Sequence, residues 1–249
     1  MATGTIVEIE YPESDGRPMG ETDVHREWMI RILDMLGHHF RGQRVYVSGD
    51  LLLYYVEGDP TKFVVPDAFV VKDCVPRRRR VFKIWEEGKT PNVVLETTSK
   101  STQHVDLVRK ARLFAEIGVN EYFLYDPTAE YLTPQLLAYR RNGGGFVPIE
   151  PDETGAIECQ ELGLIFRLEN GGLAMFVKET GERLLTGEER EEQARQREEQ
   201  ARQREEQARQ REEQASALAA EEAAARRAAE AELARLRQEL ARRSPPQNP

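Results

Sequence analysis

The 249-residue chain lacks a long apolar run and contains only two cysteines, two tryptophans and four histidines. No segment approaches the roughly 20 apolar residues that a membrane-spanning helix needs. The N-terminus also lacks the basic stretch followed by an apolar stretch that marks a secretion signal. Cys74 and Cys159 are too few for a disulfide framework or a cysteine zinc site. We therefore expect a cytoplasmic protein, in a reducing compartment, that has no membrane partner.

The chain also lacks an excess of basic charge. Its 35 Lys and Arg oppose 44 Asp and Glu, which gives a formal net charge of −9. Because duplex DNA is bound largely by neutralising its phosphates, this balance at first argues against a nucleic-acid partner. The segment 188–243 holds 15 Glu and 13 Arg, so 22 basic and 29 acidic residues lie elsewhere. The acidic excess therefore belongs mainly to the part of the chain before residue 188.

Composition changes abruptly near Thr186, since 188–243 has no aromatic residue, glycine or proline. This change predicts three parts, namely a globular domain at 1–187, a charged helical extension at 188–243 and a disordered tip at 244–249. Within the extension the heptapeptide EEQARQR occurs three times in succession, from Glu191 to Arg211. A seven-residue period favours a helix, and the repeat predicts Glu–Arg pairs four residues apart, such as Glu191 with Arg195.

The extension has two alternative interpretations. Each repeat carries only alanine as its apolar residue, which is too small for a strong coiled-coil seam. Nearer the end, Leu233, Leu236 and Leu240 recur at intervals of three and four residues. The segment is therefore either a coiled coil that makes a homodimer near its end or a single solvated helix.

The order of helix and strand patterns in 1–187 predicts an α/β domain, with one mixed β-sheet flanked by helices. Apolar spacing predicts a first helix over about 24–36, capped by Thr22 or Asp23 and ended by Gly37, and a second over about 103–117 that ends at Gly118. The Gly143–Gly145 run is expected to form a hairpin loop. The expected strands are 44–48, 51–56, 63–71, 80–85, 92–97 and 121–126, followed by two later strands that end at Val177.

Two carboxylates stand in otherwise apolar strands. Asp67 lies within FVVPDAFVV, and Glu96 closes VVLE before the hydroxyl-rich Thr97-Thr98-Ser99. A carboxylate in such a strand is costly unless it is paired or bound to a cation. Two of them at strand ends could hold Mg²⁺ through oxygen ligands, with a nearby lysine orienting or activating a water. Alternatively, Asp67 faces solvent after Pro66, and Glu96 caps the helix that begins near Thr102.

Four blocks of the sequence resemble, in the same order, the restriction endonucleases of the Uma-two type, a family within the PD-(D/E)xK nuclease superfamily. That family has PD, then E before a Ser/Thr-rich turn, then D-L-x-x-K, then G-V-x-E-Y-W/F and D-P. The resemblance extends over about 11–177 and implies a restriction-endonuclease-like fold. The matching blocks are VPDAFVV at 65–71, VVLETTSKST at 93–102, DLVRK at 106–110 and GVNEYFLYDP at 118–127.

The resemblance implies site residues. Asp67 and Glu96 would be metal ligands, completed by the backbone carbonyl of Thr97. The chain departs from the superfamily at position 98, where E-x-K requires a lysine and Thr98 stands instead. Either Lys110, which matches D-L-x-x-K, or Lys100 in the turn would then be the catalytic lysine. Another reading of Lys110 is a salt bridge with Asp106, four residues earlier.

Three further assignments follow from the resemblance and the charge pattern. His25 falls where the family often has a histidine, and it would contact a metal ligand without binding the metal itself. Asp126, before Pro127, is either a neighbour of the metal or simply the end of a strand. Basic residues near the site would contact DNA, with salt-dependent affinity, although a solvated loop is the alternative for the arginine run. These residues are Arg77, Arg78, Arg79, Arg80, Lys83 and Arg109.

The sequence therefore predicts a metal-dependent DNA endonuclease that uses Mg²⁺ or Mn²⁺ to hydrolyse phosphodiester bonds. In this mechanism Lys110 positions the attacking water. The alternative function is a catalytically inactive nuclease-fold module that binds DNA or assembles through its C-terminal helix.

Overall fold

The computed structural model describes residues 9–15, 22–98 and 105–243, and the side chains within these ranges except for 105–107 and 241–243. Lys100, the start of the second expected helix and the tip at 244–249 lie outside these ranges. The chain divides into two compact units, Met1–Glu188 and Glu189–Pro249. No helix in the described ranges has both the length and the apolar character to cross a membrane.

The first unit is built on a six-stranded mixed sheet in the order β1-β4-β6-β7-β8-β9. Strands β6 and β7 are parallel, and the other neighbours are antiparallel. Two three-stranded sheets accompany it, β10-β11-β12 and β3-β2-β5. The strands are β1 Val45–Ser48, β2 Leu53–Tyr54, β3 Phe63–Val64, β4 Ala68–Lys72, β5 Phe82–Lys83, β6 Val93–Thr97, β7 Glu121–Tyr125, β8 Leu136–Asn142, β9 Gly145–Pro148, β10 Ile157–Cys159, β11 Leu164–Glu169 and β12 Gly172–Val177.

Helices pack on both faces of the central sheet. Helix α1 (Asp23–His39) and the β10-β11-β12 sheet share one apolar core with Val70, Val93 and Leu95. Helix α3 (Ala111–Ile117) and the β3-β2-β5 sheet share the other with Phe69 and Val94. Because neighbouring residues of β4 and β6 point to opposite faces, and both faces are buried, these strands are apolar almost throughout. The predicted mixed α/β fold is confirmed.

Helix α1 begins as predicted but ends later. Thr22 is the N-cap, and its hydroxyl accepts a hydrogen bond from the backbone N–H of His25 (3.2 Å). The expected end at Gly37 is wrong, because the helix continues to His39 and Phe40 forms the C-cap. A glycine inside a helix costs only about 1 kcal/mol relative to alanine. The buried apolar face, which includes Met35 and Leu36, outweighs that cost.

Several expected strands are shorter than the sequence pattern suggested. The run 63–71 is two strands, since Pro66 has no N–H to donate and separates β3 from β4. The run 80–85 ends as a strand at Lys83 and turns into the short helix α2, Ile84–Glu87. After the β8–β9 hairpin there are three strands, β10, β11 and β12, of which the last ends at Val177, where two strands were expected. The expected hairpin at Gly143–Gly145 is confirmed by the pairing of β8 with β9.

The second expected helix is not a regular α-helix along its length. Val105–Lys110 forms a π-helical turn that runs directly into α3. The helix ends at Gly118, as predicted, where the backbone takes the left-handed conformation with φ of 95°. A π-helical turn is wider than an α-helical turn and is often found at functional sites. Here its last residue is Lys110.

The second unit consists of most of helix α4, Gly187–Arg243, followed by the tip. The 57 residues of α4 correspond to about 85 Å of helix at about 1.5 Å per residue. The repeats pair Glu with Arg three residues later, as in Glu199–Arg202 (2.8 Å) and Glu206–Arg209 (2.7 Å). The predicted four-residue spacing within the repeats is therefore corrected to three. Leu233, Leu236 and Leu240 are all more than half exposed.

Candidate active site

The register of the central sheet brings the two predicted carboxylates together. In the antiparallel pair β4–β6, Ala68 lies opposite Leu95 and Phe69 opposite Val94. One further step in this register sets Asp67 beside Glu96, although they are 29 residues apart in sequence. The backbone N–H of Asp67 donates to Glu96 Oε2 at 3.4 Å. The solvent-facing alternative for Asp67 is wrong, since its side chain is only 13% exposed.

Asp67 is held by two donors that converge on one oxygen. His25 Nε2, from the first turn of α1, lies 2.8 Å from Asp67 Oδ2. The backbone N–H of Thr97 donates to the same oxygen at 2.7 Å. These contacts fix the carboxylate against the end of β6. The structure therefore brings His25 and the backbone N–H of Thr97 onto Asp67. The expectation from the sequence concerned the Thr97 carbonyl, and that role stays a prediction.

Glu96 is buried, with a side-chain exposure of 1%, and it contacts a lysine. Lys110 Nζ donates to Glu96 Oε2 at 3.0 Å, and the lysine side chain is 19% exposed. The alternative in which Glu96 caps a helix near Thr102 concerns residues outside the described ranges. A buried carboxylate is costly without a partner, and Lys110 supplies a positive one.

Lys110 reaches Glu96 from the π-helical turn. Its ammonium comes from the helix side and not from position 98 on the strand, where the superfamily lysine stands. The alternative partner Asp106 has no described side chain. Of the two lysines that could replace position 98, only Lys110 lies in the described part of the chain.

The comparison with protein families gives one match to a family model. It is described as Uma2, putative restriction endonuclease, and matches residues 2–169 of the 249. The chain belongs to the Uma2 family. The predicted family membership is therefore confirmed.

Other comparisons add little to the Uma2 assignment. The comparison with curated proteins gives no match. Among solved structures, the chain is similar to a putative nuclease belonging to DUF820 from Anabaena variabilis ATCC 29413. The likeness has a TM-score of 0.41 and 18% identity, and it covers 55% of this chain and 73% of that chain.

A divalent metal ion fits the chemistry of this Uma2 site. Asp67 and Glu96 offer hard carboxylate oxygens side by side, and Mg²⁺ is commonly held by one or two carboxylates together with waters and substrate phosphate. Within the described ranges, no group of three or more His, Cys, Asp or Glu side chains could hold a metal. The described side chains therefore offer two carboxylates as metal ligands at this site, and the Thr97 carbonyl as a further ligand stays a prediction.

Gly49 is a site residue that the sequence analysis missed. A Cβ added at this position would lie 1.9 Å from the backbone carbonyl oxygen of Asp67. The next residue, Asp50, donates its N–H to the carbonyl of Pro66 (2.9 Å), so Gly49 and Asp50 both pack against the segment before β4 that contains Asp67. Only glycine permits such an approach. The sequence shows a Gly-Asp turn, but not that it packs against a segment 18 residues later.

The arginines of the run 77–80 differ in their exposure to solvent. Arg79 is 3% exposed, pairs with Glu87 (2.8 Å) and lies over the Tyr46 ring. Its hydrogen bonds to Glu87 raise the pKa of the guanidinium. Arg79 therefore stabilises the fold and is not presented to DNA. Arg77 also contacts Glu87 but is 63% exposed.

The remaining predicted DNA contacts lie at the surface. Arg78 and Arg109 are exposed. Arg80 is 82% exposed and pairs with Glu13, while Lys83 pairs with Glu86 and lies over the Tyr11 ring.

An open groove of about 600 Å³ runs along strand β1. Arg41, Arg77 and Arg78 line it, and all three are exposed. Ser48, at the other end of β1, also lines the groove and directly precedes Gly49, which packs against Asp67. The groove therefore extends from these exposed arginines along β1 towards the end of the sheet at which Asp67 lies. Arg41 stands in no basic run, so the sequence pattern does not distinguish it.

Asp126 and Glu121 have structural roles. Asp126 accepts hydrogen bonds from the backbone N–H groups of Thr128, Tyr131 and Leu132. Burial raises the pKa of Asp126, but these hydrogen bonds together outweigh burial and leave the pKa lowered. Glu121 is buried and accepts from Arg140 (2.8 Å) and from the N–H of Glu161 (3.0 Å). The interpretation of Asp126 as the end of a strand is the one that these contacts support.

Proposed function

We propose that this Uma2 chain is a metal-dependent DNA endonuclease whose site consists of Asp67, Glu96, Lys110 and the backbone carbonyl of Thr97. The observation that carries the proposal is the convergence of Asp67, Glu96 and Lys110 at one end of β4 and β6. Its support is the contact of Lys110 with Glu96 and the position of Asp67 one register step away. Membership of a restriction-endonuclease family points to phosphodiester hydrolysis and to DNA as the substrate.

Asp67, Glu96 and the Thr97 carbonyl would hold Mg²⁺ or Mn²⁺. When bound, the ion would supply positive charge for the phosphate and favour deprotonation of the attacking water. Lys110 would orient that water and stabilise charge on the phosphate through its ammonium group. His25 would keep Asp67 in position through their 2.8 Å contact. Lys100 remains the second candidate lysine.

Cleavage of supercoiled plasmid with Mg²⁺ or Mn²⁺ tests this proposal. Asp67→Asn or Glu96→Gln is expected to lower the rate by roughly 10³-fold or more, because a metal ligand contributes several kcal/mol to the transition state. Lys110→Met is expected to lower it by roughly 10²-fold. Asp73→Asn is the matched control, since Asp73 lies beyond the other end of β4 and is 82% exposed. Equal activity of all four variants would trace the cleavage to a contaminant.

DNA contact is proposed for the groove along β1, through Arg41 and Arg78. An acidic domain can bind DNA if a few cations converge beside the substrate, but affinity then depends steeply on salt. We expect the double variant Arg41→Ala/Arg78→Ala, made on the Asp67→Asn background, to bind duplex weakly. The slope of log affinity against log salt should fall by about 2. Lys178→Ala is the control. Lys178 is an exposed lysine that pairs with Glu158, and its removal should leave the slope unchanged.

One observation favours the alternative of an inactive module. The described residues offer only two carboxylates and no third side chain for a metal. Calorimetric titration with Mn²⁺ separates the two functions, because the endonuclease requires binding in the millimolar range or tighter, which Asp67→Asn should abolish. An inactive module would bind duplex DNA with no metal dependence.

A further inference from the structure

Thr98 occupies the strand position at which the superfamily carries its lysine, and the structure fixes it there. The backbone N–H of Thr98 donates to the carbonyl of Tyr125 at 2.7 Å, which extends the β6–β7 pairing by one residue. The residue is 1% exposed. Thr98 is therefore a fixed part of the sheet and not part of a solvated turn.

Strand alternation gives the direction of the Thr98 side chain. Val93 and Leu95 belong to the core on the α1 face, and Val94 belongs to the core on the α3 face. Glu96 follows Val94 on the α3 face, where Lys110 meets it. Because side chains of a strand repeat every two residues, Thr98 lies on the same face as Glu96. Its side chain therefore lies on the face of the sheet at which Lys110 meets Glu96.

Among the described residues, the buried hydroxyls of Thr97, Thr98 and Tyr125 have no hydrogen-bond partner. Of the three, only Thr98 lies on the face of Glu96 and Lys110, since Thr97 alternates with Glu96 and Tyr125 belongs to the core on the α1 face. A buried hydroxyl without a partner is destabilising. A catalytic role is one reason why a native protein keeps such a group. The position supplies that explanation, since the Thr98 side chain lies on the same strand face as the carboxylate and the ammonium that would act on the attacking water.

We propose that Thr98 is a further catalytic residue and that the work of the superfamily lysine is divided between two side chains. Lys110 supplies the positive charge from the π-helical turn. Thr98 supplies, from the strand, a neutral hydroxyl that accepts a hydrogen bond from the attacking water and directs its lone pair at the phosphorus. No proton is transferred to Thr98 in this step. The proposal rests on the proposed function.

The test compares Thr98→Val, which keeps the shape and removes the hydroxyl, with Thr98→Ser, which keeps the hydroxyl. We expect Thr98→Val to lower kcat for plasmid cleavage by roughly 10²-fold with little change in KM. Thr98→Ser should restore most of the rate. The control is Tyr125→Phe, which removes a buried hydroxyl from the α1 face of the sheet and should leave kcat unchanged.

A second measurement does not depend on activity. Thermal unfolding of the metal-free protein should show Thr98→Val with a Tm equal to or above that of the wild type, since no internal hydrogen bond is lost. A Tm well below the wild type would assign the hydroxyl a structural role and overturn the proposal. Full activity of Thr98→Val alongside inactive Asp67→Asn would overturn it while leaving the proposed function intact. An inactive wild type would overturn both.

Discussion

Carboxylates paired with Lys or Arg occur in both units of the molecule, but some of them are buried in the first unit, whereas those of the repeats in the second are exposed. In the first unit, Glu96 and Glu121 are each 1% exposed and are held by residues far away in sequence. In helix α4, Glu199 and Glu206 are nearly half exposed and contact an arginine three residues away. Tertiary packing determines the first kind of pair, and the helical repeat determines the second.

The difference shows why the charge count says little about the site. Net charge treats Glu96 and Glu206 as equal, yet burial makes the partner of Glu96 indispensable while water screens Glu206. The acidic excess of the first unit also includes structural carboxylates such as Glu121 and Asp126. A net charge of −9 therefore coexists with a groove that carries exposed arginines.

The largest effect on stability is expected at Glu121. Glu121→Gln removes the negative charge that Arg140 contacts and weakens the acceptor of the N–H groups of Gln160 and Glu161. Because Arg140 is 34% exposed and can be partly rehydrated, we expect a loss of about 2–3 kcal/mol, below the full cost of breaking a buried pair. Urea unfolding followed by tryptophan fluorescence measures it.

The control for Glu121 is Glu158→Gln on β10. Glu158 contacts Lys178 at 2.7 Å, but the two side chains are 34% and 51% exposed. Such a surface pair contributes at most about 1 kcal/mol. Equal losses for the two variants would show that burial does not separate the two kinds of carboxylate in this protein.

An intermediate loss of stability is expected from substitution of Gly49. In Gly49→Ala the new Cβ would meet the carbonyl of Asp67, and backbone cannot give way as a flexible side chain can. We expect a loss of about 1–3 kcal/mol, as for overpacking, and reduced plasmid cleavage because Asp67 is displaced. Gly37→Ala is the matched control. It lies within α1 with open space around it, so it should raise stability by about 0.5–1 kcal/mol. A Gly49→Ala variant with wild-type stability and activity would show that this contact does not hold Asp67.

Much of the fold was predictable because its signals are local. The apolar stripe of α1, the hydrophobic runs of β4 and β6, and Gly118 at the end of α3 each follow from short-range chemistry. The break at Pro66 has a local cause that the expected strand 63–71 left out of account, since proline has no N–H to donate. The short helix α2 was not predictable, because it depends on how the chain after Lys83 packs, which no period in the sequence reveals.

The site was predictable in part for a similar reason. Asp67 and Glu96 stood out as carboxylates in apolar strands, and the family resemblance drew attention to Lys110 and His25. Gly49 did not stand out, and Thr98 stood out only as the position where the superfamily lysine is missing, because the contacts of both residues are tertiary. A glycine in a turn and a threonine at a strand end are ordinary until the register sets them beside Asp67 and Glu96.

The smallest effect is expected in the charged helix. Glu206 accepts from Arg209 and Gln210, and both it and Arg209 are largely hydrated. Glu206→Gln should therefore change the thermal stability of the helix by less than about 0.5 kcal/mol, and the difference should vanish in about 1 M salt, where the Debye length is about 3 Å. Circular dichroism at 222 nm of the full chain measures this change. A loss as large as that of Glu121→Gln would show that α4 is packed against a partner, as the coiled-coil alternative requires, because only a desolvated pair costs that much to break.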